Sequence, residues 1–196
     1  MSSRFEVAAL SIPGPLVVRP RRFEDGRGYF AEAYTRRDFC EFGIREHFVQ
    51  ENRSYSILPG TFRGFHFQRP PYAQVKLVRV ERGRVLDIVI DLRAGSPCFG
   101  DHIALELGAE TGDQLYVPEG FAHGLLTLEA ETVVAYKVSN YYAPTAEGGI
   151  LWSDPALKIE WPAGQAPVVI SERDAELPRL AEVATPFVFS GGEFIA

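Results

Sequence analysis

The chain has 196 residues, 46% of them hydrophobic, 12% aromatic and 23% charged, with 20 Lys and Arg against 26 Asp and Glu for a formal charge of −6. Against roughly 150 residues per domain, this length predicts one domain over 1–196, and the composition excludes disordered and fibrous classes. A net negative chain with no basic run to track a phosphate backbone is not expected to bind nucleic acid.

The stretch 7–18 is broken by Pro13, Gly14 and Pro15, so it does not read as a targeting segment, and nothing approaches the ~18 apolar residues of a membrane span. No membrane partner is expected. Two distant cysteines, Cys40 and Cys98, offer neither a disulfide framework nor a paired thiolate site, as in the reducing cytoplasm.

In chain order, 18 glycines and 14 prolines punctuate short runs rich in β-branched and aromatic residues, which predicts many short strands joined by turns. Strands are expected over 16–20, 28–34, 48–55, 62–68, 75–81, 84–91, 101–107, 114–117, 124–127 and 132–139. Within 84–91, Val85, Asp87, Val89 and Asp91 alternate with Leu86, Ile88 and Ile90, so two acids share the face opposite an aliphatic stripe, and a polar barrel lumen would take Asp87.

Helical signals occur twice. Thr35, followed by Asp38, Phe39 and Phe42 with Gly43 as a stop, reads as a capped helix, and Ser171 with Asp174 three residues later reads as the start of another. Neither serves as the crossover of a parallel sheet. The expected fold is all-β, an antiparallel sandwich or jelly roll with short helices and a C-terminal arm over about 155–196.

The run beginning at Gly112 fits the second metal-site pattern of the cupins, a jelly-roll superfamily, through Gly112, Pro118, Gly120 and His123, and departs from it at Thr127. Of the first cupin pattern, Gly60 and His66 are present, but Gln68 replaces the second histidine and Tyr72 the glutamate. His66 and His123 alone do not supply the three or four donors a transition metal requires, so no metal and no cofactor are expected. Around His66, Arg63 is three residues away and faces the same side only if Gly64 supplies a bulge. Lys76 shares parity with Val78 and Val80, the face a barrel-lining strand buries, so it is either a tolerated edge charge or a lumen cation.

Seven segments then carry a resemblance over nearly the whole chain: D-G-R-G-Y-F-A-E at 25–32, F-V-Q-E-N at 48–52, F-R-G-F-H-F-Q at 62–68, A-Q-V-K-L-V-R at 73–79, V-P-E-G-F-A-H-G at 117–124, Y-K-V-S-N-Y-Y-A-P at 136–144 and S-E-R-D-A at 171–175. The sequence resembles the dTDP-4-dehydrorhamnose 3,5-epimerases, metal-free cupins of deoxysugar biosynthesis that act on a dTDP-linked 4-keto-6-deoxyhexose. The resemblance implies that His66 is the base, Asp174 the carboxylate that orients it, Tyr136 the acid on the other face of the sugar, and Lys76 with Arg63 the cations at the ketone oxygen.

It further implies pyrophosphate contacts from Arg27 and Arg173, stacking of Tyr142 on thymine, and a pocket completed by Glu32, Gln50, Glu51, Asn52, His123 and Glu147. Arg27 and Glu32 would reach a neighbouring subunit, making a homodimer with an exchanged N-terminal strand region, 1–34. Two departures, Val75 for a usual Gly and Phe65 for a usual Leu, bear on the sugar pocket. The alternatives left open are an epimerase of one centre or a ketoisomerase on related sugars, a cupin that binds a sugar nucleotide without turnover, and a metal-dependent cupin oxygenase.

Overall fold

The computed structural model describes residues 4–164 and 166–191. In chain order the elements are β1 Phe5–Ala9, β2 Leu16–Pro20, β3 Phe23–Asp25, β4 Gly28–Phe30, α1 Arg36–Glu41, β5 Gln50–Ser56, β6 Phe62–Gln68, β7 Lys76–Arg82, β8 Arg84–Asp91, β9 His102–Gly108, β10 Gln114–Val117, β11 Phe121–Thr127, β12 Thr132–Val138, β13 Glu147–Gly149 and α2 Glu172–Ala175. One sheet has the order β1-β2-β10-β7-β12-β5, the other β13-β6-β11-β8-β9, and β3-β4 is a separate hairpin. The pairings within these sheets are antiparallel, so the expected all-β jelly roll is the fold.

Strand alternation divides the apolar residues among three clusters. Between the sheets lie Val78 and Val80 of β7, Val85 and Val89 of β8, Leu115 and Val117 of β10, and Val134 of β12. The opposite face of the five-stranded sheet carries Leu86, Ile88 and Ile90 against Phe62, Phe65 and Phe67. Each fully buried phenyl there contributes roughly 1.5–3 kcal/mol. The C-terminal arm covers this face through Trp152, Trp161, Ile170 and Leu180, and the two indoles meet edge to face at 6.0 Å. A parallel bridge between Thr61 and Val169 ties the arm to the start of β6. On the outer face of the six-stranded sheet, α1 lays Phe39 over Phe5, Val18 and Leu77.

Both expected helices form. Thr35 stands at the N-cap of α1 without capping it, because its hydroxyl bonds Glu32 Oε2 at 2.9 Å. Ser171 does cap α2, accepting from the Asp174 N–H at 3.1 Å. Three short strands, β1, β3 and β13, went unexpected, and the expected strand over 28–34 ends at Phe30.

Candidate active site

A cleft of about 750 Å³ opens between the sheets, at the end of the lumen where charged and hydroxyl side chains replace the valines. On its five-stranded wall, β6 and β11 set His66 directly opposite His123, and their register shifts before Leu125 pairs with Arg63. Gly64 makes that shift possible. Its φ is +136°, and a Cβ there would lie 2.5 Å from the Gly124 Cα, so only glycine fits. The bulge expected from the sequence is therefore present, and both Arg63 and His66 line the cleft.

His66 Nε2 lies 2.8 Å from Asp174 Oδ1, and Asp174 Oδ2 accepts from the Gly64 N–H at 3.2 Å. A carboxylate oxygen only accepts, so Nε2 carries the proton and Nδ1 is left as the basic nitrogen. Burial alone pushes the Asp174 carboxyl up, but the bond and charge of His66, the Gly64 N–H and the Arg173 guanidinium together hold it below the usual carboxylate range. On the same wall His123 Nε2 lies 2.8 Å from Oδ1 of the fully buried Asp87.

The six-stranded wall faces this one with different groups. Lys76, half-buried, donates from Nζ to the His66 carbonyl at 3.3 Å. Burial lowers its ammonium to about 8, against the attraction of Asp87 and Glu147. Tyr136 sits on the adjacent strand, two residues from the position opposite Lys76, and burial pushes its phenol up, against the pull of Arg63. The pocket-facing side of β5 adds Gln50 and Asn52, joined at 2.7 Å, beside a smaller recess of about 240 Å³ that Gln68 and Gln74 also line.

The rim is held by Glu147, which takes Arg173 NH2 at 2.6 Å on one oxygen and the Tyr142 hydroxyl at 2.9 Å on the other. Arg173 NH2 stands 3.5 Å from His66 Nε2. Tyr142 lines both recesses; Tyr141 lines neither, and both rings are exposed. Gln68, which replaces the second cupin histidine, bonds the carbonyls of Tyr72 and Tyr141 and the Ala143 N–H. Among the described residues no group of three or more His, Cys, Asp or Glu is placed to hold a metal ion.

Several expected residues stand elsewhere. Glu51 lies outside both recesses, ion-paired with Arg79 and Lys137; it alternates with Gln50 and Asn52 and so faces the opposite side of the sheet. Arg27 is at the tip of the β3-β4 hairpin, paired with Asp25, and Glu32 pairs with Arg4; neither lines the cleft of its own chain. Val75 and Phe65 do not narrow the pocket, because Val75 packs in the outer cluster under α1 and Phe65 under the arm. Ser54 and Gln74, which the sequence does not mark, line the recesses, as does the helix-capping Ser171; for Ser54 the signal is its parity with Gln50 and Asn52.

A jelly roll whose lumen sets a His–Asp pair across from a lysine and a tyrosine is a cupin-type isomerase of the proton-transfer kind. The chain belongs to the dTDP-4-dehydrorhamnose 3,5-epimerase family, whose model matches residues 9–182. It is 46% identical over 175 residues to the dTDP-4-dehydrorhamnose 3,5-epimerase of Salmonella typhimurium, covering 89% of this chain and 94% of that one. The crystal structure of the Legionella pneumophila dTDP-6-deoxy-D-glucose-3,5-epimerase in complex with dTDP-4-keto-L-rhamnose superimposes with a TM-score of 0.89 at 36% identity, over 95% of this chain and all of that one. A 3'-monoepimerase from Streptomyces bikiniensis in complex with dTDP-quinovose gives 0.81 at 34% identity, over 88% and 86% of the two chains. Among the described residues no helix is long and apolar enough to cross a membrane.

Proposed function

We propose that this enzyme inverts C3 and C5 of dTDP-4-dehydro-6-deoxy-D-glucose to give dTDP-4-dehydro-L-rhamnose. The observation that carries the reading is the distribution of groups between the walls: His66 with Asp174 on one sheet, Lys76 and Tyr136 on the other. His66 Nδ1 takes the proton from the carbon next to the C4 ketone, and Asp174 stabilises the imidazolium formed. Lys76, with Arg63 near it, balances the charge on the enolate oxygen, which a cation does far better in a dry lumen than in water. Tyr136, kept a phenol by burial, returns a proton to the opposite face of the carbon, after which the His66 imidazolium releases its proton to solvent and the tyrosine regains one from it.

In this reading Arg173, and Arg27 from a neighbouring subunit, hold the pyrophosphate, Tyr142 stacks on thymine, and Gln50, Asn52, His123 and Glu147, with the neighbour's Glu32, complete the site. Glu51 takes no part. The chain works as one cupin domain in the cytoplasm, without cofactor, and as a homodimer in which region 1–34 is exchanged. Support comes from the exposed Phe23, Tyr29 and Phe30 of the β3-β4 hairpin, which leave apolar surface for a partner. A monomer by light scattering that still turns over substrate would refute the exchange.

The resemblance to a 3'-monoepimerase keeps a single inversion as the second reading. An NMR time course in D2O separates the two, with deuterium at both C3 and C5 for the proposed reaction and at one carbon for the alternative. EDTA is expected to leave the rate unchanged; a loss reversed by a divalent ion would reject the cofactor-free reaction.

A further inference from the structure

One charged group of the lumen has no part in the proposed chemistry. Asp87 lies mid-strand in β8, fully buried, between the apolar Val85 and Val89. One oxygen holds His123 at 2.8 Å, whereas Oδ2 is buried with no hydrogen-bond partner among the described residues. A carboxylate sealed from water with half its acceptor capacity unused is unfavourable unless a positive charge stands near it. That charge faces it from the opposite wall, where Lys76 points into the same lumen and feels the Asp87 charge more strongly than that of Glu147. The Lys76 ammonium itself donates to a neutral group, the carbonyl of His66.

We propose that Asp87 is a positioning residue that acts through Lys76: its buried charge holds the lysine as an ammonium ion aimed at the substrate's carbonyl oxygen, while its bond to His123 fixes the carboxylate in place. The proposal rests on the reading of Lys76 given above. The charges that act on Lys76 are Asp87 from β8 and Glu147 from β13, and the other titratable or charged groups lining the cleft beside it include His66 and Arg63 from β6, His123 from β11 and Tyr136 from β12. Of the two carboxylates, Glu147 has Arg173 at 2.6 Å as its own counter-charge, and among the described residues no guanidinium or ammonium is bonded to Asp87, whose ion-pair partner is His123. Removing the Asp87 charge therefore makes Lys76 give up its proton at lower pH.

The chain has three lysines, Lys76, Lys137 and Lys158, so 13Cε-lysine labelling gives three resolvable NMR titrations in the intact protein. In Asp87→Asn the Lys76 midpoint is expected to fall by about one pH unit, the size a single buried neighbouring charge commonly has, with Lys137 and Lys158 unmoved. The alkaline limb of kcat/KM falls with it, so activity lost at pH 8 is largely regained near pH 6.5, which a merely structural defect would not allow. A folded Asp87→Asn protein with an unmoved Lys76 midpoint overturns the proposal, as does a midpoint that falls while the alkaline limb stays in place.

If Asp87→Asn does not fold, Asp87→Ser serves, a smaller side chain that likewise removes the charge. The Lys76 midpoint is expected to fall in that variant too, and an unmoved midpoint in the folded protein overturns the coupling. A parent chain without epimerase activity would reject the reading of the reaction, whereas the NMR midpoints test the coupling independently.

Discussion

The two walls of the cleft are built by the same alternation of strand residues and do opposite chemistry. The five-stranded wall carries His66, His123 and Asp87, groups that take or hold protons, beside the cation Arg63. The six-stranded wall carries Lys76 and Tyr136, an ammonium and a neutral phenol, both proton donors. A sugar ring lying between two sheets presents one face to each. In the proposed reaction, sheet membership separates removal of a proton from its return, and that is the condition for inversion rather than exchange on one face. Damage to one wall should stop everything, and damage to the other should stop inversion alone.

The largest effect is expected from His66→Ala. Without a base no enolate forms, so both inversion and solvent deuterium exchange disappear in a D2O NMR time course, and full inversion by this variant would remove the assignment. Tyr136→Phe leaves the first wall intact. Exchange at the α-carbon stays measurable while inversion falls by about 10²–10⁴-fold, the range for loss of one acid or base. Loss of exchange as well, in a folded protein that still binds nucleotide, would show that Tyr136 does more than donate from the far side.

Asp174→Asn sharpens the account of the first wall. The aspartate accepts from both His66 Nε2 and the Gly64 N–H, and an amide has one acceptor for two donors, so either the histidine adopts the other tautomer or a backbone group is orphaned. A fall in rate of about 10²-fold is expected, smaller than for loss of the base. The folded carboxyl titrates below its ordinary value, so its contribution to stability is present above the normal carboxylate range and is lost as pH falls through the folded pKa. The parent protein should lose thermal stability on acidification more steeply than Asp174→Asn, and parallel melting curves down to pH 3 would contradict this.

The walls were legible in the sequence to the extent that parity reports a face. Lys76 with Val78 and Val80, and Asp87 with Val85 and Val89, were assignable to the lumen because strands alternate with period two and these runs are long enough to show it. The same rule argues against Glu51, since Gln50, Glu51 and Asn52 cannot all face one side, although the family resemblance implies all three. The union of His66 with Asp174 spans 108 residues and has no local signature; it depends on how the C-terminal arm crosses the sheet. Three-residue strands such as β3 and β13 are too short for alternation to register. Arg27 and Glu32 lie off the cleft of their own chain, so no pattern within one chain reports their role.

The smallest effect is expected at the rim, from Arg173→Ala. Its guanidinium is bound to Glu147 at 2.6 Å and is 54% exposed, so its ion pair adds at most about 1 kcal/mol to stability and the melting temperature should barely move. The pyrophosphate reading makes substrate binding an exchange of one anion for another: the diphosphate replaces the Glu147 carboxylate on Arg173. The net gain is then the difference between two similar attractions in a partly solvated place, and a rise in KM of about tenfold with kcat nearly constant is the expected size. Salt distinguishes this from a packing effect. Exposed charges are screened at physiological ionic strength, so the parent KM should climb with added KCl while that of Arg173→Ala climbs less. A fall in kcat with KM unchanged would place Arg173 with the first wall, through its 3.5 Å approach to His66 Nε2, and would take it away from the phosphates.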